Sequence, residues 1–320
     1  MRLNRWIPGL CGAWMAASVC AQSYPTRPVR VISPFPPGGP TDVVARTIAT
    51  ALSTRLGQQF IVDNRPGAGG NIGMGLAAKA AGDGYTVLVT SSTFVVNPSL
   101  YPRVPFDPYR DFVAVTLAAS TPNAIIAHPS FEPRTLKELV AYAKGNPGKV
   151  NYSSSGSGTT GHLAMELLKL NAGIDVQHIP YSGGGPMMQA VAGNQVRIGS
   201  GALSSAAAQI RAGLVRGIAV TSGARSSSVP DVPTVAEAGF AELQSETISA
   251  VFLPAGAPDA VVNLLHREIV LTMQRADVRE RLLAIGVEPI ANTPAEFRAY
   301  LKTEIPKWGE VIRRAGIRLD

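Results

Sequence analysis

Cysteine is almost missing from this 320-residue chain. Its two copies, Cys11 and Cys20, sit inside MRLNRWIPGLCGAWMAASVCAQS, where Arg2 and Arg5 precede an apolar stretch from Ile7 to Val19 and Val19-Cys20-Ala21 closes the segment. That order of charge, apolar run and small residues predicts an export signal over residues 1–21, cleaved near Ala21. A membrane anchor is the weaker reading, because the apolar run has 13 residues and a span needs about 20. The mature chain then has no cysteine, which excludes disulfides, thiol nucleophiles and thiolate metal sites. No later apolar run reaches transmembrane length, so a soluble protein outside the cytoplasm is expected.

Strong charge of one sign is also lacking. Loss of Arg2 and Arg5 leaves 27 basic residues against 22 acidic ones, lowering the formal charge from +7 to +5. This excess can attract acidic solutes, but it is scattered, without Lys/Arg blocks or interleaved aromatics, and does not read as nucleic-acid binding. No repeat of 20 to 50 residues and no low-complexity tail is present.

What is there is an apolar fraction of 46%, enough for a core in each of two lobes. Short β-type runs alternate with helical patterns, the signature of α/β layers around mainly parallel sheets. RVISPF reads as a strand; TDVVARTIATAL places Val43, Val44, Thr47, Ile48, Ala51 and Leu52 on one helical face. QFIVDN and YTVLVTSS follow as strands, and NPSLYPRVPFDPYRDF reads as a Pro-rich surface connection into the strand FVAVTLAA. A second series of alternating elements begins near Thr121 with the strand NAIIAH and ends near Thr247. After the strand ISAVFLPAG come three helical segments with no strands of their own. Such a block must bury its apolar faces on an existing lobe, so residues 22–120 with 248–320 are expected to form one domain and 121–247 the other. Two segments would then cross between the lobes, with a cleft between them.

Two loops carry the chemistry. YSSSGSGTTGH contains Gly156 to Gly161 in the pattern G-x-G-x-x-G, between a strand and a helix, with Asp175 lying 19 residues beyond Gly156. A dinucleotide site needs this context, yet the strand enters through Tyr-Ser-Ser-Ser rather than an aliphatic run, and nicotinamide cofactors are scarce outside the cytoplasm. The general physics survives: helix N-termini expose amides and partial positive charge, and glycines let an anion approach. Ser153, Ser154, Ser155, Ser157 and Thr159 add hydroxyl donors, although Ser and Thr there can equally serve as caps. FPPGGPTD, Phe35 to Asp42, repeats the device in the first series with Gly38 and Gly39 before a helix. Two such loops, one per lobe, can grip a small acid from both sides.

Other constellations are missing. No serine has nucleophile-elbow surroundings, the P-loop pattern is absent, and His128, His162, His178 and His266 lack metal-ligand spacing. His162, just inside a helix start, reads as a structural hydrogen bonder, Asp42 as a dipole-compensating residue, and Met187 and Met188 as packing.

Taken together, VISPFPPGGPTDVVART, VDNRPGAGGNIG, DGYTVLV, NPSLY, NYSSSGSGTTGHLAMELL, HIPYSGGGP, VPDVPTVAEAGF, LPAGAP and KWGEVIRRAGI resemble the periplasmic solute-binding receptors of tripartite tricarboxylate transport systems, the Bug receptors. The resemblance implies a two-lobed α/β fold of the type II periplasmic binding protein kind, with a ligand cleft between the lobes. It implies a periplasmic, monomeric, non-enzymatic receptor that takes no cofactor and no metal and passes a small carboxylate to membrane permease subunits. By position it carries over Pro37, Gly38, Gly39 and Asp42 from the first loop, Ser92 and Thr93 after YTVLV, and Ser154, Ser155, Gly158, Thr159 and His162 from the second, with Tyr181, Gly184 and Pro186 beside them. Departures from the family pattern fall at Ser182, where a basic residue is usual, at Gly199-Ser200, at Gly201 in place of an Asp, and at Ile248 in place of an aromatic. They imply a smaller, less charged cleft wall. A sensory adaptor for a two-component system and an exported hydrolase are the rival readings.

Overall fold

The first βα unit forms where the sequence changes its apolar period from two to 3.6. Strand β1 (Val29–Ser33) is followed by helix α1 (Pro40–Leu56), β2 (Phe60–Asn64), α2 (Asn71–Ala78), β3 (Thr86–Ser91) and α3 (Thr93–Leu100). The computed structural model describes residues 24–318; the expected export signal over 1–21, with Cys11 and Cys20, lies outside the described residues. In α1 the predicted stripe of Val44, Thr47, Ile48, Ala51 and Leu52 is buried, while Val43 stands at its margin. The helix stops at Gly57, whose left-handed backbone returns its N–H to the Ser53 carbonyl.

The Pro-rich stretch from Asn97 departs from expectation. Rather than a surface connection from Asn97 onward, its beginning is the end of α3, with Phe94, Val95, Val96, Asn97 and Leu100 all buried. An eight-residue helix containing Pro98 is too short for a periodic signal, and packing decides it. Phe94 stacks on Phe252 at 4.2 Å between ring centroids and on Phe106 at 5.4 Å, so the connection itself ends inside the core.

β4 (Phe112–Ala127) replaces the two strands expected on either side of residue 120. It is one 16-residue strand that pairs with a later strand over residues 112–122 and with two others over residues 123–127. The chain continues through α4 (Leu136–Gly145), β5 (Val150–Ser154), α5 (Thr160–Ala172), β6 (Val176–Pro180), α6 (Gly184–Ala192), β7 (Ile198–Ala202), α7 (Leu203–Arg211) and β8 (Arg216–Val220). It returns along β9 (Glu246–Pro254) to α8 (Asp259–Met273), α9 (Ala276–Ala284), β10 (Glu288–Pro289) and α10 (Pro294–Ala315). The terminal block is therefore not free of strands: β10 pairs Glu288 with Ser120 of β4.

Within each lobe the pairings of β1 with β2 and β3, and of β5 with β6 and β7, are parallel. The crossing strands β4 and β9 are antiparallel to each other, with Thr121 opposite Thr247. The strand path runs β2-β1-β3-β9-β4-β7-β5-β6, a two-lobed α/β fold whose lobes share β4. In the first lobe Val261, Leu265 and Ile269 of α8 join Val44 and Ile48 of α1, and Phe297, Leu301 and Trp308 of α10 join Phe94 and Leu100 of α3. In the second, Tyr152, Met165 and Ile198 centre one cluster and Met187, Met188 and Val191 another. Leu163 of α5 is buried in the same cluster as Phe94 and Leu100, so the lobes touch.

Candidate functional site

Parallel strands deliver every connection at their carboxyl ends to one edge of the sheet, and the following helices begin there. Five helices start on the wall of a single cavity of about 470 Å³: α1 at Gly39 to Thr41, α3 at Ser92 and Thr93, α5 at Thr159 to Gly161, α6 at Gly183 to Pro186, and α7 at Ala202. The first-turn amides of a helix have no intrahelical acceptor, and each helix start carries partial positive charge of up to about half an elementary unit. Among the described residues, none on this wall has a charged side chain. On the wall itself the donors are main-chain amides at these helix starts, supplemented by hydroxyls of Thr41, Ser91, Ser155, Ser182 and Ser205. Phe35, Pro36, Pro37, Pro186 and Ala202 make the apolar part.

Of the residues singled out in the sequence, Pro37, Gly38, Gly39, Ser92, Thr93, Ser155, Thr159, Gly184 and Pro186 lie on this wall. Asp42, Ser154, Gly158, His162 and Tyr181 stand behind it. Asp42 is buried and turned back along the first loop, where it accepts from the Gly38 N–H (2.9 Å), Arg46 Nε (2.9 Å) and Asn64 Nδ2 (2.8 Å). Burial pushes its carboxyl up, but hydrogen bonds from Arg46, Asn64 and Gly38 outweigh this and hold it below the usual carboxylate range. It is thus a brace for the turn 35–38, spending its charge on protein donors. Tyr181 packs against the cluster of Met187, Met188 and Val191.

In the second loop Thr159 caps α5, accepting weakly from the His162 N–H (3.4 Å) while donating to the Gly156 carbonyl (2.8 Å). Ser154 Oγ accepts from the Gly156 N–H (3.1 Å), lies 3.0 Å from the Gly156 carbonyl and 2.7 Å from His178 Nε2. The Gly158 N–H donates to His162 Nδ1 at 3.1 Å. The two imidazoles stack at 4.0 Å, and Tyr152 stacks on His178 at 5.0 Å. Below them Glu166 accepts from the Tyr152 hydroxyl (2.6 Å) and from Lys169 Nζ (2.9 Å). Burial, then the Lys169 charge, pushes the His162 pKa down to about 4. Burial and the neighbouring His162 push that of His178 down to about 3. Both rings are neutral around pH 7.

Asp175 does not serve the glycine motif. In the β5–β6 register Ser154 faces Pro180 at the cavity end, whereas Val150 faces Val176, which puts Asp175 at the opposite end of the sheet. The third glycine of the motif has a packing role, since a Cβ on Gly161 would lie 2.7 Å from the Ser200 carbonyl. A ribose-binding acid is therefore out of place here.

The structure also brings in Asn123, Ser205 and Thr247 from outside the two loops, and Phe35, Thr41 and Thr160 from within them. Asn123 belongs to β4, Thr247 to β9 and Thr160 to α5, and they close a triangle in which the two hydroxyls lie 2.6 Å apart and both reach Asn123 Oδ1, at 3.2 and 3.3 Å. No local motif marks Asn123 and Thr247, because they meet only through the pairing of the crossing strands. Ser182 and Gly201 do lie on the wall. Ile248 does not; strand alternation turns Thr247 to the cavity and Ile248 into the first-lobe core. Among the described residues no group of three or more His, Cys, Asp or Glu could hold a metal ion.

Residues 44–317 match the model of the tripartite tricarboxylate transporter family receptor. Protein BugT of Bordetella pertussis is 38% identical over 309 residues, 96% of this chain and 95% of that protein. An R. palustris protein solved with adipate superposes with a TM-score of 0.87 at 33% identity, covering 92% of this chain and 99% of that one. The periplasmic binding protein BugD superposes with a TM-score of 0.85 at 35% identity, over 92% and 99% of the two chains.

Proposed function

Because the chain belongs to the tripartite tricarboxylate transporter receptor family, we propose that it is an exported, periplasmic receptor that captures a small carboxylated organic solute between its lobes and hands it to membrane permease subunits. The observation that carries this reading is the convergence of five helix N-termini on a cavity whose wall, among the described residues, has no charged side chain. A carboxylate there replaces its water shell with main-chain N–H and hydroxyl donors, each charge-assisted bond contributing about 1.5–3 kcal/mol. Binding closes the lobes and changes no covalent bond. A cationic amino group would find no carboxylate on the wall, which favours plain acids over amino acids. The adipate held by the R. palustris neighbour fits this class. We assign residues 22–120 and 248–320 to one lobe, residues 121–247 to the other, and the functional unit to a monomer.

The test is a thermal-shift and calorimetric screen with mono-, di- and tricarboxylic acids at neutral pH, adipate among them. An acid that binds only the folded state raises stability by about 2.7 kcal/mol at a hundred times its dissociation constant. The hit should weaken in Thr159→Val, which uncaps α5, and in Gly39→Pro. If amino acids or uncharged solutes stabilise the protein and no plain acid does, the reading is wrong.

A further inference from the structure

Within the loop between β5 and α5, the Thr159 hydroxyl and N–H both donate to the Gly156 carbonyl, at 2.8 and 3.3 Å. Gly156 and Gly158 both adopt positive φ, at 136° and 78°, and offer no side chain to anchor the turn. Such a stretch samples many conformations unless its peptides are bonded from outside. The Gly183 N–H donates to the Ser155 carbonyl, and the remaining bonds come from the stacked rings behind the loop: His162 Nδ1 takes the Gly158 N–H, and His178 Nε2 is paired with Ser154 Oγ, which in turn bonds the Gly156 peptide. A backbone N–H can only donate, so His162 carries its proton on Nε2, the nitrogen 3.9 Å from Glu166 Oε1. Neither ring lies on the cavity wall.

We propose that His162 and His178 are positioning residues: through Gly158 and Ser154 they fix the peptides of residues 155–159, and thereby aim the first-turn amides of α5 into the cavity. The proposal rests on reading the cavity as an acid site. It assigns to the histidines an effect on affinity exerted without touching the solute. A purely packing role for the same rings predicts something different, since packing is served by shape and the loop bond by an acceptor atom at one place. Asn has its Oδ1 where His has Nδ1; Leu has similar bulk and no acceptor.

The experiment is hydrogen–deuterium exchange of the amides of residues 155–161 in the full mature chain without added acid, beside its melting temperature, for wild type, His162→Leu and His162→Asn. Titration with adipate follows. His162→Leu should speed exchange in the loop and weaken adipate binding by on the order of tenfold each, the value of one hydrogen bond. His162→Asn should restore both to within a few-fold of wild type although it melts as low as His162→Leu. Exchange that follows melting temperature across the variants, with no rescue by Asn, overturns the proposal. Should His162→Leu fail to fold, Ser154→Ala, which deletes one hydroxyl, must release the Gly156 amide alone; an unchanged Gly156 amide overturns it equally. Exchange is read without ligand, so a wild type that ignores adipate counts against the acid site and not against the anchoring of the loop.

Discussion

Gly158 and Leu100 meet across the boundary between the lobes: a Cβ on Gly158 would fall 2.1 Å from Leu100 Cδ2, with Val96 just beyond. The glycine admits the α3 side chains rather than a solute, and this contact holds the second loop against the first lobe. Gly158→Ala is expected to be costly twice over, through the overlap and through a φ of 78° that disfavours any Cβ by about 1–2 kcal/mol. Acid affinity should fall by tenfold or more, and small-angle scattering should show a larger radius of gyration in the presence of acid than for wild type. An alanine variant that closes and binds normally would show the contact to be incidental.

Ser92 stands on the cavity wall but spends its hydroxyl on the crossing strand, donating to the Glu246 carbonyl (3.1 Å) and accepting the Ile248 N–H (3.0 Å). Those bonds straddle Thr247. Ser92→Ala leaves a buried N–H without a partner and should cost about 1–3 kcal/mol in urea unfolding of the acid-free protein. The larger share of its effect should be on stability; if the variant unfolds like wild type and only loses affinity, Ser92 serves the solute directly.

Acid pH is expected to destabilise the protein in two steps. The folded pKa of His162 is about 4 and that of His178 about 3, against 6.5 ordinarily, so the unfolded chain binds protons more readily between these values. Their contribution is complete above pH 6.5 and is lost as pH falls through 4 toward 3. Glu166 and Lys169 face the same pair. Asp42 adds a loss below its ordinary 3.8, because its folded pKa is also lowered. Melting temperature measured from pH 7.5 to 4 should decline less steeply in His178→Gln than in wild type. Parallel curves would refute the assignment.

Gly201 sets the depth of the second-lobe wall. An added Cβ would lie 2.6 Å from Met187 Cε and 2.7 Å from Ser155 Oγ, both ends of side chains that can rotate. Gly201→Ala should therefore cost no more than about 1–3 kcal/mol of stability, while displacing the Ser155 hydroxyl and weakening the acid found in the screen. Calorimetric titration of that acid gives the check, with unchanged affinity as the contrary result.

Much of this molecule is legible along the chain. The stripe from Val44 to Leu52 and the two glycine loops before α1 and α5 are local patterns, and they lie where the sequence places them. The end of α3 is not, because a short helix with an internal proline owes its existence to the aromatic cluster around Phe94. Nor is the unbroken β4, whose midpoint, Ser120 to Pro122, reads as a break until β9 and β10 pair with it.

By itself the sequence determined the chemistry available to the site: glycine, proline and hydroxyl residues at helix starts, with no cysteine after Cys20 and no clustered charge, which suggests main-chain recognition of an anion. Tertiary structure alone decided which of those residues face the cavity. Asp42, Ser154, Gly158 and His162 turned out to brace the loops, while Asn123, Thr160 and Thr247 came together on the wall from three separate elements. The reason is physical: hydrogen-bonding capacity is a property of each residue, but whether it is spent on the protein or left for a solute depends on partners that only folding brings within 3 Å or so.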